Sequence, residues 1–252
     1  MKISAKEIAS LVRTLSKTAN KPHFTSAIIA AAGSGTRMCS EDGTTKQLLT
    51  LCGMPIIVRT LKAFEECEHI NEIIVVARED EIPVYEKYKT EYNLTKITAV
   101  VSGGSTRQES VLRGFEAISD KSEFVAIHDG ARCLITPEKI DSVLAETYRC
   151  GAATAATRAT DTVKRANSKN YITETINRNE LWLAQTPQCF KTELYRASAY
   201  IAKEENFTAT DDNALAEHLG FDVKLVDCGT DNIKITTPAD LAIAEVILRN
   251  RK

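Results

Sequence analysis

Long apolar runs and paired cysteines are both missing from this 252-residue sequence. No run approaches the roughly 20 apolar residues that a membrane-spanning helix needs, so we expect no helical membrane protein. The seven cysteines include no C-x-x-C pair and are odd in number, which argues against a disulfide framework and against a zinc site. We therefore expect reduced thiols in a cytoplasmic protein.

An excess of basic charge is absent as well. The sequence has 32 Lys and Arg residues against 34 Asp and Glu residues, and its formal net charge is −2. Such a chain has no general positive field of the kind that drives non-specific binding to nucleic acids. Any positive charge that binds phosphate must therefore be local.

The first 22 residues lack the apolar core and the small-residue cleavage site of a signal peptide. Instead, apolar residues recur at helical spacing at Ile8, Leu11, Val12 and Leu15. We expect residues 1–22 to form an amphipathic extension, in preference to a targeting or membrane-surface segment. Residues 23–252 are then expected to form a single domain.

From residue 26 onward, short apolar runs alternate with amphipathic stretches. The pattern predicts strands at residues 26–32, 72–77, 98–102, 124–128, 152–157, 221–227 and 233–236. It predicts helices at residues 55–67, at a stretch that ends near 92, at 108–118, and after the start signals Thr136-Pro137 and Thr237-Pro238. This alternation is typical of βαβ units and predicts an α/β fold with a doubly wound, mainly parallel, Rossmann-like sheet.

Ligands of such sheets bind beyond the carboxyl ends of the strands. That rule points to the loops after Ala32, Ser102, His128 and Thr157. One segment, residues 161–183, breaks the rhythm because it is polar, β-branched and alternating. It predicts a projecting β-hairpin arm, within residues 158–185, rather than another βα unit.

A glycine-rich turn follows the first predicted strand and contains Gly33 and Gly35. Backbone N–H groups of such a turn can approach phosphate oxygens. The turn lacks the Gly-Lys-Ser/Thr of a Walker A loop, and Met38 stands where a dinucleotide-binding loop has its third glycine, which argues against both classes. Arg37 and Lys46 flank the turn and would suit a triphosphate, although a solvated surface pair is the alternative.

The fourth predicted strand ends at His128 and is followed by Asp129 and Arg132. A carboxylate at this edge is where a Mg²⁺ ligand would meet phosphates held by the first loop. Arg132 is either the partner of Asp129 or a ligand of substrate phosphate. We expect His128 to be a satisfied core histidine, because attack by an ionised phosphate needs no general base.

Eight ordered blocks, from about residue 26 to the C-terminus, resemble the 2-C-methyl-D-erythritol 4-phosphate cytidylyltransferases of the non-mevalonate isoprenoid pathway. The blocks are residues 31–38, Lys46-Gln47, 102–112, 128–132, 161–165, 177–182, 185–190 and 231–236. The resemblance implies a nucleotidyltransferase that uses CTP, a polyol phosphate and a divalent cation, usually Mg²⁺. It also implies a homodimer formed through the β-arm.

The resemblance further implies roles for single residues. Arg37, Lys46 and Lys234 correspond to the catalytic cations. The nucleotide site corresponds to Ala31, Ala32, Gly33, Ser34, Gly35, Gly104, Ser105, Arg107 and Ser110. The substrate site corresponds to Asp129, which is also the metal residue, and to Arg132, Thr162, Arg178 and Thr186. Thr162 and Arg178 are expected on the arm of the neighbouring subunit.

The chain departs from the family pattern in three places. Thr45 precedes Lys46 where the family commonly has Pro, Ser105 stands where some members have Asp, and residues 1–22 have no counterpart. Two alternatives remain, a ribitol 5-phosphate cytidylyltransferase and a non-catalytic nucleotide-sugar-binding module. Ala131, where the ribitol enzymes tend to have Val, argues against the first, and the joint presence of Arg37, Lys46, Asp129 and Lys234 argues against the second.

Overall fold

The computed structural model describes residues 23–33 and 45–251. The predicted amphipathic extension, residues 1–22, lies outside the described residues, as do Ser34, Gly35 and Arg37. No helix in the described part of the chain combines the length and the apolar character that a membrane crossing requires.

The central element is a seven-stranded sheet in the order β11-β7-β10-β6-β1-β4-β5. Its strands are β1 (Thr25–Ala30), β4 (Glu72–Ala77), β5 (Ile97–Ser102), β6 (Phe124–Asp129), β7 (Ala152–Arg158), β10 (Trp182–Lys191) and β11 (Lys224–Asp227). Strand β10 runs antiparallel to both of its neighbours, and the other pairs are parallel. The prediction of a mainly parallel α/β sheet is therefore confirmed.

Helices cover both faces of the sheet. They are α1 (Ile56–Glu66), α2 (Ile82–Glu91), α3 (Arg107–Glu116), α4 (Pro137–Cys150), α5 (Thr192–Glu204), α6 (Asp212–His218) and α7 (Pro238–Asn250). Alternate strand residues feed opposite cores: Ile29 packs with α1, α2 and α4, whereas Ile28 packs with α3, α5 and α6. Because both faces are covered, the central strands β1, β4 and β6 are buried and read as largely apolar runs.

The two Thr-Pro signals do start helices. Thr136 and Thr237 have the extended backbone of an N-cap, and Pro137 and Pro238 occupy the first turn. At α7 the cap is a full capping box, in which Thr237 and Asp240 bond each other's backbone N–H groups. These local signals predicted the helix starts correctly.

Two predictions about strands are wrong or incomplete. Residues 233–236 form no strand; Ile235 instead donates a single backbone hydrogen bond, 2.9 Å, to the carbonyl of Ala131. The alternating segment 161–183 contains a separate antiparallel ribbon of β8 (Lys164–Ala166) and β9 (Ile172–Thr175), but Trp182 and Leu183 belong to β10. A further short pair, β2 (Thr50–Leu51) and β3 (Met54–Pro55), precedes α1.

The sheet order also locates the crevice for a ligand. The chain moves from β1 outward to β4 and β5, then returns to β6 on the other side of β1. This reversal leaves an opening beyond the carboxyl ends of β1 and β6. Ala30 and Asp129 are paired across these two strands, so Asp129 lies at the mouth of the opening.

Candidate active site

A cavity of about 540 Å³ opens at this edge of the sheet. The loops after β1, β5 and β6 line it, together with Lys46, Gln47, Lys234 and Thr236. Three of the four loops that the sequence predicted therefore meet, whereas the loop after Thr157 contributes no lining residue among those described. Most of the lining residues have polar side chains, and three of them are the cations Lys46, Arg107 and Lys234.

The loops after β1 and β5 approach each other through glycine. A Cβ added to Gly103 would lie 2.3 Å from the Cβ of Ala32, closer than real side chains come. A Cβ added to Gly104 would lie 2.4 Å from Cγ of Glu109. Glycine is therefore required at position 103, because it lets the two loops approach closely, whereas at position 104 a side chain would displace Glu109.

The start of α3 shapes the wall formed by residues 104–110. The carboxylate of Glu109 accepts hydrogen bonds from the backbone N–H of Ser105, 2.7 Å, and from its hydroxyl, 2.6 Å. The hydroxyl of Ser110 accepts a bond from the N–H of Gly104, 2.9 Å, and donates to the carbonyl of Thr106, 2.8 Å. The Ser105 bonds lower the pKa of Glu109. Glu109 was missed by the sequence reasoning, although its place in the first turn of a helix was a usable signal.

Asp129 is the centre of charge in the cavity. Its carboxylate is 2.8 Å from Nζ of Lys234, 3.3 Å from Nε of Arg107 and 3.8 Å from Nε of Arg132. Burial alone would raise the pKa of Asp129, but Lys234 and Arg107 hold it well below its ordinary value. The carboxylate is therefore ionised at neutral pH, and Arg132 is one of its three cationic partners.

Arg107 was predicted at the nucleotide wall, and it does line the cavity. Its guanidinium, however, lies between two carboxylates, because Nη1 is 2.7 Å from Asp212 while Nε faces Asp129. Asp212 is 1 % exposed, so its carboxylate is one of the most deeply buried charges in the described chain. The sequence reasoning missed Asp212; its signal was an acidic pair, Asp211-Asp212, at the start of a helix.

His128 and Thr186 lie behind Asp129 rather than in the cavity. His128 is fully buried, and burial lowers its pKa to about 3, so the ring is neutral. The hydroxyl of Thr186 lies 3.0 Å from Nδ1 of His128 and accepts the backbone N–H of Asp129, also 3.0 Å. The prediction of a satisfied core histidine is confirmed.

The remaining predicted residues divide into those at the cavity and those away from it. Lys46 begins a short 3-10 helix, Lys46–Leu48, and lines the cavity with its side chain largely buried. Ala32 and Gly33 line it too, whereas Ala31 is buried and donates its N–H to the carbonyl of Val76.

The two predicted arm residues are exposed and do not line the cavity of their own chain. Thr162 lies just before β8. Arg178 donates to the carbonyl of Thr160, 3.1 Å, at the base of the ribbon.

The described residues contain no cluster of three His, Cys, Asp or Glu side chains that could hold a metal ion by themselves. A Mg²⁺ site need not have one, because this ion keeps several waters and commonly uses one or two carboxylates plus substrate phosphates. Asp129 at the mouth of a cationic cavity fits that mode of binding.

Comparison with known proteins agrees with this geometry. The family model described as 2-C-methyl-D-erythritol 4-phosphate cytidylyltransferase matches residues 25–250. A protein of that name from Parasynechococcus marenigrum (strain WH8102) is 45% identical over 226 residues, which cover 89% of this chain and 98% of the relative. Another, from Syntrophus aciditrophicus (strain SB), is 40% identical over 227 residues, which cover 90% of this chain and 96% of that relative.

Solved structures resemble the fold as well. The crystal structure of 4-diphosphocytidyl-2C-methyl-D-erythritol synthase from Anaerococcus prevotii DSM 20548 aligns with a TM-score of 0.82 and 31% identity, over 91% of this chain and all of the other. The 2-C-methyl-D-erythritol 4-phosphate cytidylyltransferase of Thermus thermophilus aligns with a TM-score of 0.72 and 29% identity, over 88% and 98% of the two chains.

Proposed function

This chain belongs to the 2-C-methyl-D-erythritol 4-phosphate cytidylyltransferase family, and we propose that the cavity beyond β1 and β6 is where its two substrates react. The enzyme is a nucleotidyltransferase that joins CTP and 2-C-methyl-D-erythritol 4-phosphate and releases pyrophosphate. The observation that carries the assignment of the site is the meeting of Lys46, Asp129 and Lys234 around one polar cavity.

CTP is assigned to the loops after β1 and β5. Backbone groups of Ala32 and Gly33 face the cavity on one side, and Gly104 and Ser105 face it on the other. Because Glu109 holds Ser105 by two hydrogen bonds, the second wall is rigid before a ligand arrives. A rigid wall with polar groups at fixed positions can discriminate one base by its hydrogen-bonding edge.

The reaction is a substitution at the α-phosphorus of CTP. An oxygen of the substrate phosphate forms a bond to that phosphorus, the bond to the bridging oxygen breaks, and its electron pair leaves with pyrophosphate. The attacking phosphate is already ionised, so no side chain must remove a proton. The buried, neutral His128 is consistent with this chemistry.

The protein's contribution is then to place positive charge where negative charge develops. Lys46 and Lys234 both line the cavity, and we assign them to the triphosphate and the reacting phosphates. Arg37, outside the described residues, is assigned to the same task by its resemblance to the family. Lys234 is paired with Asp129, so this cation is held in place at the edge of the cavity.

A divalent cation, Mg²⁺, is assigned to Asp129 together with the phosphates of CTP. When bound, it would neutralise charge on the triphosphate. Asp129 would hold the ion through a carboxylate that is ionised at neutral pH. Arg132 is assigned to the substrate side of Asp129, where it supplies charge, whereas Thr186 supports the backbone of Asp129 from behind.

Thr162 and Arg178 are assigned to the active site of a second subunit. In their own chain both are exposed and neither lines the cavity. The ribbon nearby carries Tyr171 and Ile172, which are 70% and 66% exposed. A two-stranded ribbon is marginal in water by itself, so packing of these apolar side chains in a homodimer would stabilise residues 158–185.

The test measures pyrophosphate release from CTP, UTP and ATP, each with 2-C-methyl-D-erythritol 4-phosphate or ribitol 5-phosphate. We expect Mg²⁺-dependent release with CTP and the erythritol phosphate. The matched pair of variants is Lys234→Ala, which should lose activity, and Lys121→Ala, an exposed lysine far from the cavity, which should keep it. Release with ribitol 5-phosphate alone, or activity retained by Lys234→Ala, would contradict the assignment.

A further inference from the structure

A connected set of hydrogen bonds lies behind the backbone of Asp129, and His128 is at the centre of this set. Nε2 of His128 lies 3.2 Å from the backbone carbonyl of Arg132, and Nδ1 lies 3.0 Å from the hydroxyl of Thr186. The same hydroxyl receives the backbone N–H of Asp129. The imidazole of His128 therefore links the two ends of the turn from Asp129 to Arg132, directly at Arg132 and through the Thr186 hydroxyl at Asp129.

The set continues to the segment that carries Lys234. Nη1 of Arg132 donates to the carbonyl of Asn232, 2.8 Å, and the side-chain amide of Asn232 donates to the carbonyl of Thr186, 2.9 Å. Asn232 is fully buried, and Ile235 is fixed on its other side by the hydrogen bond to Ala131. Lys234 is thus held between two anchored residues.

The partners determine where the proton of His128 must be. A carbonyl oxygen can only accept, so the Nε2 nitrogen that faces Arg132 must carry the hydrogen. In a neutral ring Nδ1 is then an acceptor, and the hydroxyl of Thr186 must donate to it. This leaves the oxygen of Thr186 free to accept the N–H of Asp129, so all three groups are satisfied in one arrangement.

We propose that His128 is a positioning residue, whose hydrogen bonds to Arg132 and Thr186 align the Asp129 turn with the Lys234 segment through Arg132 and Asn232. This inference rests on the proposed function, since it concerns the relative placement of two residues assigned to the reaction. Misplacement of a catalytic group by about 1 Å can cost about 10²-fold in rate. A core histidine that only fills space would have no such effect on chemistry.

Two conservative variants distinguish the hydrogen bond made by Nε2 of His128 from the one made by Nδ1. In His128→Gln the side-chain amide reaches the position of Nε2 and can still donate to Arg132. In His128→Asn the shorter amide reaches the position of Nδ1, and the carbonyl of Arg132 keeps only the longer hydrogen bond from the backbone N–H of Ile135, 3.3 Å. Cys189→Ala is the matched control, because Cys189 is also fully buried in a neighbouring strand but takes no part in this set of bonds.

Steady-state kinetics would be measured well below the unfolding temperature of each protein. We expect His128→Asn to lower kcat about 10- to 100-fold with little change in the KM for CTP, and His128→Gln to recover most of that loss. Cys189→Ala should lose stability but keep kcat. If His128→Asn does not fold, Asn232→Ala, which breaks the same link from the other side, should show the same loss of kcat. Equal kcat in His128→Asn, His128→Gln and wild type would overturn the proposal.

Amide hydrogen exchange supplies a readout that does not depend on activity. The N–H groups of Asp129 and Ile235 should exchange at least about tenfold faster in His128→Asn than in His128→Gln, because only the first variant breaks the link between the two segments. Equal protection in the two variants would overturn the proposal even if the wild-type protein were active. An inactive wild-type protein would instead contradict the proposed function, and the exchange result would still decide on His128.

Discussion

The ion pair between Arg107 and Asp212 offers the sharpest test of the electrostatic arrangement. Replacing Arg107 by Met keeps much of the side-chain volume but removes the cation that lies 2.7 Å from Asp212. Asp212 is 1 % exposed and keeps one other side-chain partner, the hydroxyl of Tyr195 at 3.2 Å. The variant therefore leaves a buried carboxylate without a compensating charge.

Removing one partner of a buried pair typically costs about 3–5 kcal/mol. The Arg107 side chain is 32% exposed, so water can reach the space it vacates, and we expect a loss near the lower end, about 3 kcal/mol at pH 8. Asp129 also loses a partner, but it keeps Lys234 at 2.8 Å. The dominant cost should therefore come from Asp212.

The sign of the pH dependence follows from the pKa of Asp212. Burial raises this pKa, and Arg107 opposes the rise. Without Arg107 the folded-state pKa rises further above the unfolded value of about 3.9, so the folded protein takes up a proton that the unfolded chain does not hold. The free energy of unfolding then falls as the pH increases from about 4 through the folded pKa. The deficit of Arg107→Met should be smaller at pH 5 than at pH 8.

Urea unfolding followed by circular dichroism, at one protein concentration, measures this deficit. The control is the double variant Arg107→Met with Asp212→Asn, which removes both charges. We expect it to be more stable than Arg107→Met alone at pH 8, with no pH-dependent deficit. A loss for Arg107→Met that is the same at both pH values, and that the second substitution does not relieve, would refute the reasoning.

Three further outcomes are expected. In steady-state kinetics, Lys46→Ala should lower kcat by about 10²–10³-fold with a smaller change in KM, whereas the exposed control Lys121→Ala should not lower kcat. A change in KM alone would contradict this prediction. Mixing Arg37→Ala with Arg178→Ala, each inactive alone, should restore roughly a quarter of wild-type activity, because half of the randomly exchanged dimers are mixed and each of these has one intact site of two. If no activity returns although subunit exchange is demonstrated, Arg178 lies outside a shared site. Asp240→Asn should lower the free energy of unfolding by about 1 kcal/mol at pH 7, after allowance for solvent screening, because hydrogen bonds from residues 236 and 237 outweigh the effect of burial and lower the pKa of Asp240 to about 2. In thermal unfolding the difference from wild type should shrink as the pH falls from 4 toward 2, and a constant difference would contradict this explanation.

Local pattern was enough to predict much of the fold. The segment 72–77 was predicted as a strand and is β4 with the same bounds, because a strand buried on both faces is largely apolar, as residues 73–77 are. The starts of α4 and α7 were predicted from Thr-Pro pairs, since capping depends on residues within one turn of each other. Asp129 was placed at the edge of the sheet for a related reason, because it ends a buried strand.

Other elements could not be predicted from neighbouring residues. The apolar and β-branched residues 233–236 have the alternation of a strand, but no strand pairs with them in the part of the chain that the structure describes. Strand β10 lies antiparallel between β6 and β7, and its apolar content alone does not show in which direction it runs. Such choices depend on which sheet edge is available when the segment packs.

The sequence by itself determined buried strands such as β4 and β6, the starts of α4 and α7, and the presence of the chemical groups for phosphate binding. Only the tertiary structure decided which charges face each other. Lys234 and Arg107 meet Asp129, and Arg107 also meets Asp212, across long separations along the chain. Propensity and periodicity act over a few residues, whereas an ion pair depends on the sheet order and the register that bring distant loops to one edge.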